Sequence, residues 1–302
     1  MNYDDVASRF LQPLAQPIPE PRVPDTPARR LRDALEPIAT QGWWSRAVSE
    51  RVEALGLDFF EGYVWGRAAA LGEPVASVVV AAFGVFESGF LGAVYEQGRA
   101  AASRDDVLRA RAEGAAASVA AVLGPTAHAQ VAEVADALLR ATDSADGSAR
   151  PLFSGLRELP LPDTAYGRLW RGAELVREHR GDGHLAACIA AGLDRVTMTV
   201  LTELWLGYPA GEYLASRGYG PDALAVALDG LAARGWADGS TLTDDGRAAR
   251  DAIEAATDLS QRQLVGALGD GLGGIVGRAQ AWSSAVIAAR AFPPDPRKRA
   301  AG

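Results

Sequence analysis

Apolar residues recur at helical spacing along most of the chain. Leu31, Leu35 and Ile38 fall at i, i+4 and i+7, and Trp44, Val48, Val52 and Leu55 at i, i+4, i+8 and i+11. Each series lines one face of a helix. Asp58 with Glu61 predicts a capping box that opens a helix through Tyr63, Val64 and Arg67 and stops at Gly72. Pro74 suits a first helical turn, and one apolar helix is predicted from there to about Tyr95. Ser103 with Asp106 starts another that ends before Gly124-Pro125, and Thr126 opens the next, to about Thr142. Residues 143–162 read as a linker, because turn formers cluster in DSADGSARP at its head. Beyond it, Asp163 caps a helix through Tyr166, Trp170 and Val176. Gly181-Asp182-Gly183 is predicted to break the chain before helices over about 184–193 and 194–206.

From Pro209 the pattern shortens. PAGEYLASRG and GPDALAVALDGLAARG are short helices that end at Gly218 and Gly235, and the second carries Leu224, Leu228 and Leu231 on one stripe. Trp236-Ala237 and Thr241-Leu242 flank Asp238-Gly239, a hairpin signal, and Thr243 caps a long helix. Helix, turn, helix, hairpin, helix is the order of a winged helix, here over about 209–257. At the other end, six prolines between 13 and 27 predict an extended stretch there, within a Pro-rich N-terminal arm over 1–27. The expected fold is therefore mainly α. An N-terminal helical domain spans 28–142, and a C-terminal helical domain over 163–302 contains the winged helix.

Composition narrows the function. The 302 residues are 48 % hydrophobic and 23 % charged, an ordinary globular mix, and the net charge is -8. The overall field therefore repels DNA and acidic membranes, so any nucleic-acid contact needs a local basic patch. The single cysteine, Cys188, permits no intrachain disulfide. The longest apolar run, from Pro74 to Phe86, is too short for a membrane span of about 20 residues. The N-terminal residues lack a basic-then-apolar leader, so a cytoplasmic protein is expected.

Three blocks carry a resemblance. WADGSTLTDDGRAARDAIEAATD resembles the wing and following helix of MarR-type regulators, where a Leu-Thr-x-x-Gly-Arg run closes the wing. VREHRGDGHLAACIAAGLD (176–194) and GLDFFEGYVWGRAAALG (56–72) are similar to blocks of an actinobacterial helix-turn-helix family labelled SalK-like or MarR-like. The resemblance covers about residues 30–290. It implies a regulator architecture, with a homodimer as the expected assembly, and leaves the biochemical role open.

The densest candidate chemistry is Glu178-His179-Arg180-Gly181-Asp182-Gly183-His184. Three readings compete. His179 or His184 could act as a general base oriented by Asp182 or Glu178, since imidazole titrates near neutrality. Glu178, His179, Asp182 and His184 could ligate a metal, but the spacing is not that of a helical zinc pair, so no metal is expected. Alternatively Asp182 caps the next helix and the histidines bond backbone carbonyls. Glu87 interrupts an apolar stretch. Either it is a buried handle paired with Arg67, or it lies at a helix end facing water. The aromatics Trp43, Trp44, Phe59, Phe60, Tyr63, Trp65, Phe83, Phe86, Phe90 and Tyr95 form core or line a pocket for a flat apolar molecule.

DNA contact is weakly supported. The candidate recognition helix, Asp222 to Arg234, offers one cation, and residues 212–262 hold nine acids against five bases. Arg217, Arg234 and Arg247 are the cations that could reach a duplex. No phosphate loop, nucleophile elbow or Cys-x-x-Cys occurs, so no cofactor is implied. The expectation is a small-molecule-binding protein of MarR-like architecture, a ligand-responsive regulator with weak or lost DNA binding. Its lining residues would be Glu178, His179, His184, Arg67, Glu87, Tyr63, Trp65 and Phe86, and its partner a small apolar or aromatic molecule. The alternative is an enzyme built on a recycled regulator fold, with His179, His184 and Asp182 as its acid–base set.

Overall fold

Helix caps dictate much of the chain path. The computed structural model describes residues 1–301. Helix α1 (Tyr3–Phe10) is followed by α2 (Pro27–Ala39), α3 (Gln41–Trp44), α4 (Arg46–Glu53), α5 (Phe59–Ala68), α6 (Ala76–Phe83) and α7 (Ser88–Ala101). Then come α8 (Arg104–Leu123), α9 (His128–Asp143), α10 (Pro151–Arg157) and the long α11 (Ala165–Ala190). The last part holds α12 (Arg195–Leu206), α13 (Glu212–Ala215), α14 (Pro221–Ala233), the hairpin β1 (Ala237–Asp238) and β2 (Thr241–Leu242), α15 (Asp244–Leu259), α16 (Arg262–Leu268), α17 (Leu272–Ala288) and α18 (Pro296–Ala301). Asp58 and Glu61 form the reciprocal capping box at the start of α5, and Ser103, Asp194 and Thr243 cap α8, α12 and α15. Thr164, not Asp163, caps α11. Among the described residues, no single helix is long and apolar enough to cross a membrane.

α11 runs through the middle of the molecule and packs against α9, α2, α8, α15 and α10. The largest core joins Leu31 to Val176 with Leu264, Ile275, Ala279 and Trp282, so α16 and α17 pack into the N-terminal helices. The chain therefore does not divide into an N-terminal and a C-terminal globule at 143–162. That segment is not a bare linker either, because α10 lies within it and buries Leu152, Phe153 and Leu156. A second, smaller core gathers Leu201, Leu204, Leu214, Ala227, Leu231 and Ile253 from α12 through α15. These elements follow in the order helix, short helix, helix, hairpin, helix, and β1 pairs antiparallel with β2 through Ala237–Leu242 and Asp238–Thr241.

Two breaks fall elsewhere than the sequence suggests. The stretch from Pro74 to Tyr95 is two helices, α6 and α7, because Gly84 takes φ +73° and turns the chain. Conversely, α11 continues unbroken through Gly181-Asp182-Gly183. There the glycine serves packing: a Cβ on Gly183 would lie 2.5 Å from Ser260 Oγ and 2.6 Å from Arg150 Nη1. Arg150 uses the space to donate to the His179 carbonyl.

The Leu-Thr-x-x-Gly-Arg run has a local explanation. Thr243 Oγ1 accepts from Gly246 N at 3.0 Å, capping α15, while a Cβ at Gly246 would lie 2.0 Å from the Trp236 carbonyl oxygen. Backbone cannot retreat as a flexible side chain can. Gly246→Ala should therefore destabilise the fold by about 2–4 kcal/mol, read as a lowered urea midpoint with an unchanged slope.

Candidate functional site

The charges on α11 are buried, and nearly every one has its partner on a different element. Arg67 of α5 makes a bidentate pair with Glu178, at 3.1 Å to Oε1 and 2.8 Å to Oε2. Arg177 bridges Glu36 of α2 at 3.2 Å and Glu178 at 2.9 Å. Glu174 receives Arg111 of α8. Arg180 reaches Glu254 of α15 at 2.6 Å, where Arg29 and Arg250 also converge at 3.0 and 2.6 Å. Burial raises the Glu178 carboxyl, but Arg67 and then Arg177 outweigh it and hold it down to about 2. Glu254 is likewise held well below its ordinary value, with Arg180 and Arg250 overcoming the penalty of burial.

The two histidines do not form a pair. Five residues apart on one helix, they point about 140° away from each other. His179 Nδ1 bonds Gln261 Oε1 at 2.9 Å, with the Phe153 ring against it. His184 Nδ1 bonds Thr257 Oγ1 at 3.0 Å. Because Thr257 donates its own proton to the Ile253 carbonyl, His184 is the donor in that contact. Burial, and next the Arg250 charge, push His184 down to about 3, and burial also lowers His179. The imidazoles bond Gln261 and Thr257 and neither bonds Asp182 or Glu178, so the structure does not bring the acid–base set together. Asp182 caps no following helix, since α11 continues through it. Its Oδ2 instead accepts from Phe153 N at 3.0 Å, serving the first turn of α10.

Glu87 does not meet Arg67. It is the N-cap of α7, accepting from Gly89 N at 2.9 Å and Phe90 N at 2.6 Å, and the Gly89 bond is the leading cause of its lowered carboxyl. It is therefore a helix end rather than a handle in a pocket. Trp65 also leaves the candidate lining. It is 0 % exposed, packs edge-on against Tyr95 and donates to the Ala102 carbonyl at 3.0 Å.

Tyr63, Phe86 and Arg67 do converge, together with residues that the sequence reading passed over. Two adjoining cavities, about 120 and 110 Å³, share the walls Tyr63, Phe86, Arg177, Tyr213, Arg217 and Ala301. The first is also lined by Trp43, Trp44, Phe59, Phe60 and Phe292, with Phe10 of the N-terminal arm and Lys298 of α18. The second extends to Arg67, Glu178, Asp182 and His184. Arg217 is thus turned inward, stacked 4.8 Å from the Phe86 ring and 4.5 Å from Tyr213, not outward as a DNA contact. Arg234 is exposed, but it lies over Trp236 and donates to the Gly192 carbonyl at 2.7 Å; Arg247 sits in the first turn of α15, partly covered. Lys298, in a run that the charge pattern suggests is a solvated tail, is folded back against Phe10, Tyr208 and Tyr213. One signal was available: Lys298 is the one lysine in a chain that otherwise uses arginine throughout.

Two outcomes follow for the α11 network. Arg67→Ala leaves Glu178 with a single arginine partner and should cost about 3–5 kcal/mol in denaturant, whereas a hydrophobic Arg67→Met, Glu178→Met double variant should recover most of that. Burial pushes Asp182 up to about 7 from the ordinary 3.8. A carboxyl raised in the folded state favours the protonated form, so its contribution to stability declines as pH climbs from its unfolded to its folded value. Asp182→Asn keeps an acceptor for Phe153 N, so its melting temperature should match wild type near about pH 4 and exceed it increasingly up to about pH 7.

No curated protein and no solved structure matches the chain. A family model described as a helix-turn-helix family matches residues 28–293, which takes in both cores and all but the outermost walls of the cavities. On that extent the chain belongs to this helix-turn-helix family.

Proposed function

We propose that this protein is a ligand-responsive helix-turn-helix protein of MarR-like, winged-helix architecture, whose aromatic chamber binds a small flat molecule. One observation carries the reading. The chamber wall is shared between the helical body, through Trp43, Tyr63 and Phe86, and the helix-turn-helix unit, through Tyr213, Ser216 and Arg217. We read α13, the turn after it and α14 as the helix-turn-helix pair, with β1 and β2 as the wing. A ligand in the chamber touches the turn directly. The same turn is tied to the body by Glu87 N, which donates to the Arg217 carbonyl at 2.9 Å. Occupancy that shifts Arg217 therefore bears on the position of α14, and it can bias two arrangements only by binding them unequally.

The outward face of α14 explains why duplex binding should be weak. Asp222, Ala225, Val226, Asp229 and Gly230 are exposed there, with Val226 at 73 %, and no cation stands among them. Affinity for a polyanion grows with the number of phosphates neutralised, and this surface neutralises few. The family allows DNA as a partner, but this copy is read as one in which grip has been reduced or lost. The enzyme alternative has no specific observation in its favour.

Two measurements check this. Indole or 1-naphthol should quench the emission of Trp43 and Trp44 and raise the melting temperature, and Ser216→Trp, which fills the chamber mouth, should abolish both effects. If no aromatic probe saturates below about 1 mM (about -4 kcal/mol), the chamber is not a ligand site. In fluorescence anisotropy, a labelled duplex should show no saturable binding at about 150 mM salt and at most a shallow salt slope at about 50 mM; tight, steeply salt-dependent binding would reverse the reading.

A further inference from the structure

The amine of Lys298 is claimed by no other group. Lys298 is the single lysine of the chain, and it lies on α18, beyond residue 293, where the match to the helix-turn-helix family ends. Its Nζ faces three rings, at 5.3 Å from Phe10 and 5.5 Å from Tyr208 and Tyr213, and makes no hydrogen bond or ion pair with any described residue. Asp295, one turn before it, is held instead by Arg297, at 3.0 Å and 2.8 Å from its two carboxylate oxygens. Arg217 is turned inward onto the same Tyr213 ring. Burial and then repulsion from Arg217, with a smaller share from Arg297, push the ammonium down to about 8, against the pull of Asp295 and Glu212. A desolvated lysine beside another cation keeps its lone pair free near neutrality, which is the condition for attack on a carbonyl carbon.

Lys298 also faces outward. It lines a larger cavity of about 700 Å³ outside the chamber, between the Pro-rich stretch and α18, whose walls include Leu14, Ile18, Phe60, Phe90 and Pro294. We propose that Lys298 captures an apolar aldehyde that enters this outer cavity, holding it as an imine on Nζ. This goes beyond the chamber reading and does not depend on it. The Nζ lone pair adds to the carbonyl carbon and forms the C–N bond, while one proton passes from nitrogen to the former carbonyl oxygen. The hydroxyl so made then leaves with the second nitrogen proton as water, and the C=N bond closes. No oxidant or reductant is consumed. The neutral imine no longer repels Arg217, and the carbon tail exchanges water for Leu14, Ile18 and Phe90.

The test incubates the full chain with hexanal and cyanoborohydride, which reduces an imine to a stable secondary amine. By peptide mass spectrometry at about pH 7.5, Lys298 should carry the adduct and form it about tenfold or more faster than the lysine of an acetyl-capped peptide of residues 294–301, and Lys298→Arg should lose it. The rate should rise with pH to a midpoint near 8 rather than 10.5. Arg217→Gln removes the repulsion, so its midpoint should move upward and its rate at about pH 7.5 should fall several-fold, a change that burial alone would not produce. Hexanal should outpace glycolaldehyde by about tenfold or more after each is normalised to the peptide, because only hexanal has a tail for the apolar walls. If Lys298 reacts no faster than the peptide, or if the adduct falls on the Met1 amine alone, the capture inference fails. If glycolaldehyde matches hexanal, the outer cavity does not select an apolar aldehyde and the assignment fails with it. Binding of indole or 1-naphthol is measured without aldehyde, so either reading can fail while the other stands.

Discussion

The structure hangs on how α11 disposes of its charges. A helix through the centre of a protein would ordinarily be apolar on every face, yet α11 carries Arg171, Glu174, Arg177, Glu178, Arg180 and Asp182 with little or no exposure. Each is tolerable only because a neighbour supplies the opposite charge or a hydrogen bond at the right height. α8 provides Arg111, α5 provides Arg67, α2 provides Glu36, α15 provides Glu254 and α10 provides the amide of Phe153. Such pairs add little net stability over well-packed carbon, because desolvation offsets most of the attraction. What they do supply is register, since a displaced helix would strand several ions in a dry interior.

That constraint also shapes the chamber. The two carboxylates nearest to it, Glu36 and Glu178, are committed to arginines of the helical body. The cations that enter from the other side, on the turn after α13 and on α18, therefore arrive without acidic partners among the described residues. The aromatic walls accept the flat faces of these cations but cannot neutralise them. Where the turn after α13 meets the helical body, Arg217 Nε is buried with no hydrogen-bond partner among the described residues.

How much of this was legible in the sequence depended on the range of the interaction. Caps and turns act over a few residues, so Asp58 with Glu61, Ser103, Asp194, Thr243 and the Asp238-Gly239 hairpin fell where expected. Tyr63 and Arg67 stand one turn apart on α5, while Phe86 reaches the same cavity wall from the turn between α6 and α7, so spacing along one helix accounts for only part of their meeting. The failures were long-range. Gly183 looks like a breaker until Arg150 and Ser260 are seen pressed against it. Glu87 could be read either as a buried acid or as a helix end facing water, and the choice, which falls to the helix end, needs Gly84 to be seen ending the helix before it. Lys298 sits in a run that resembles a solvated tail, and only the folding back of α18 reveals its surroundings. Arg217 was read as an outward cation because its segment resembles a DNA-binding unit, whereas it turns inward onto Phe86 and Tyr213.

The docking of α18 has a practical side. Its backbone is pinned by two guanidinium groups of α2, with Arg29 donating to the Ala300 carbonyl at 2.8 Å and Arg32 donating to the Arg299 carbonyl. Ala301 itself forms part of the chamber wall. For mutational work α2 is therefore part of the cavity at one remove, because its two arginines hold the helix that walls it.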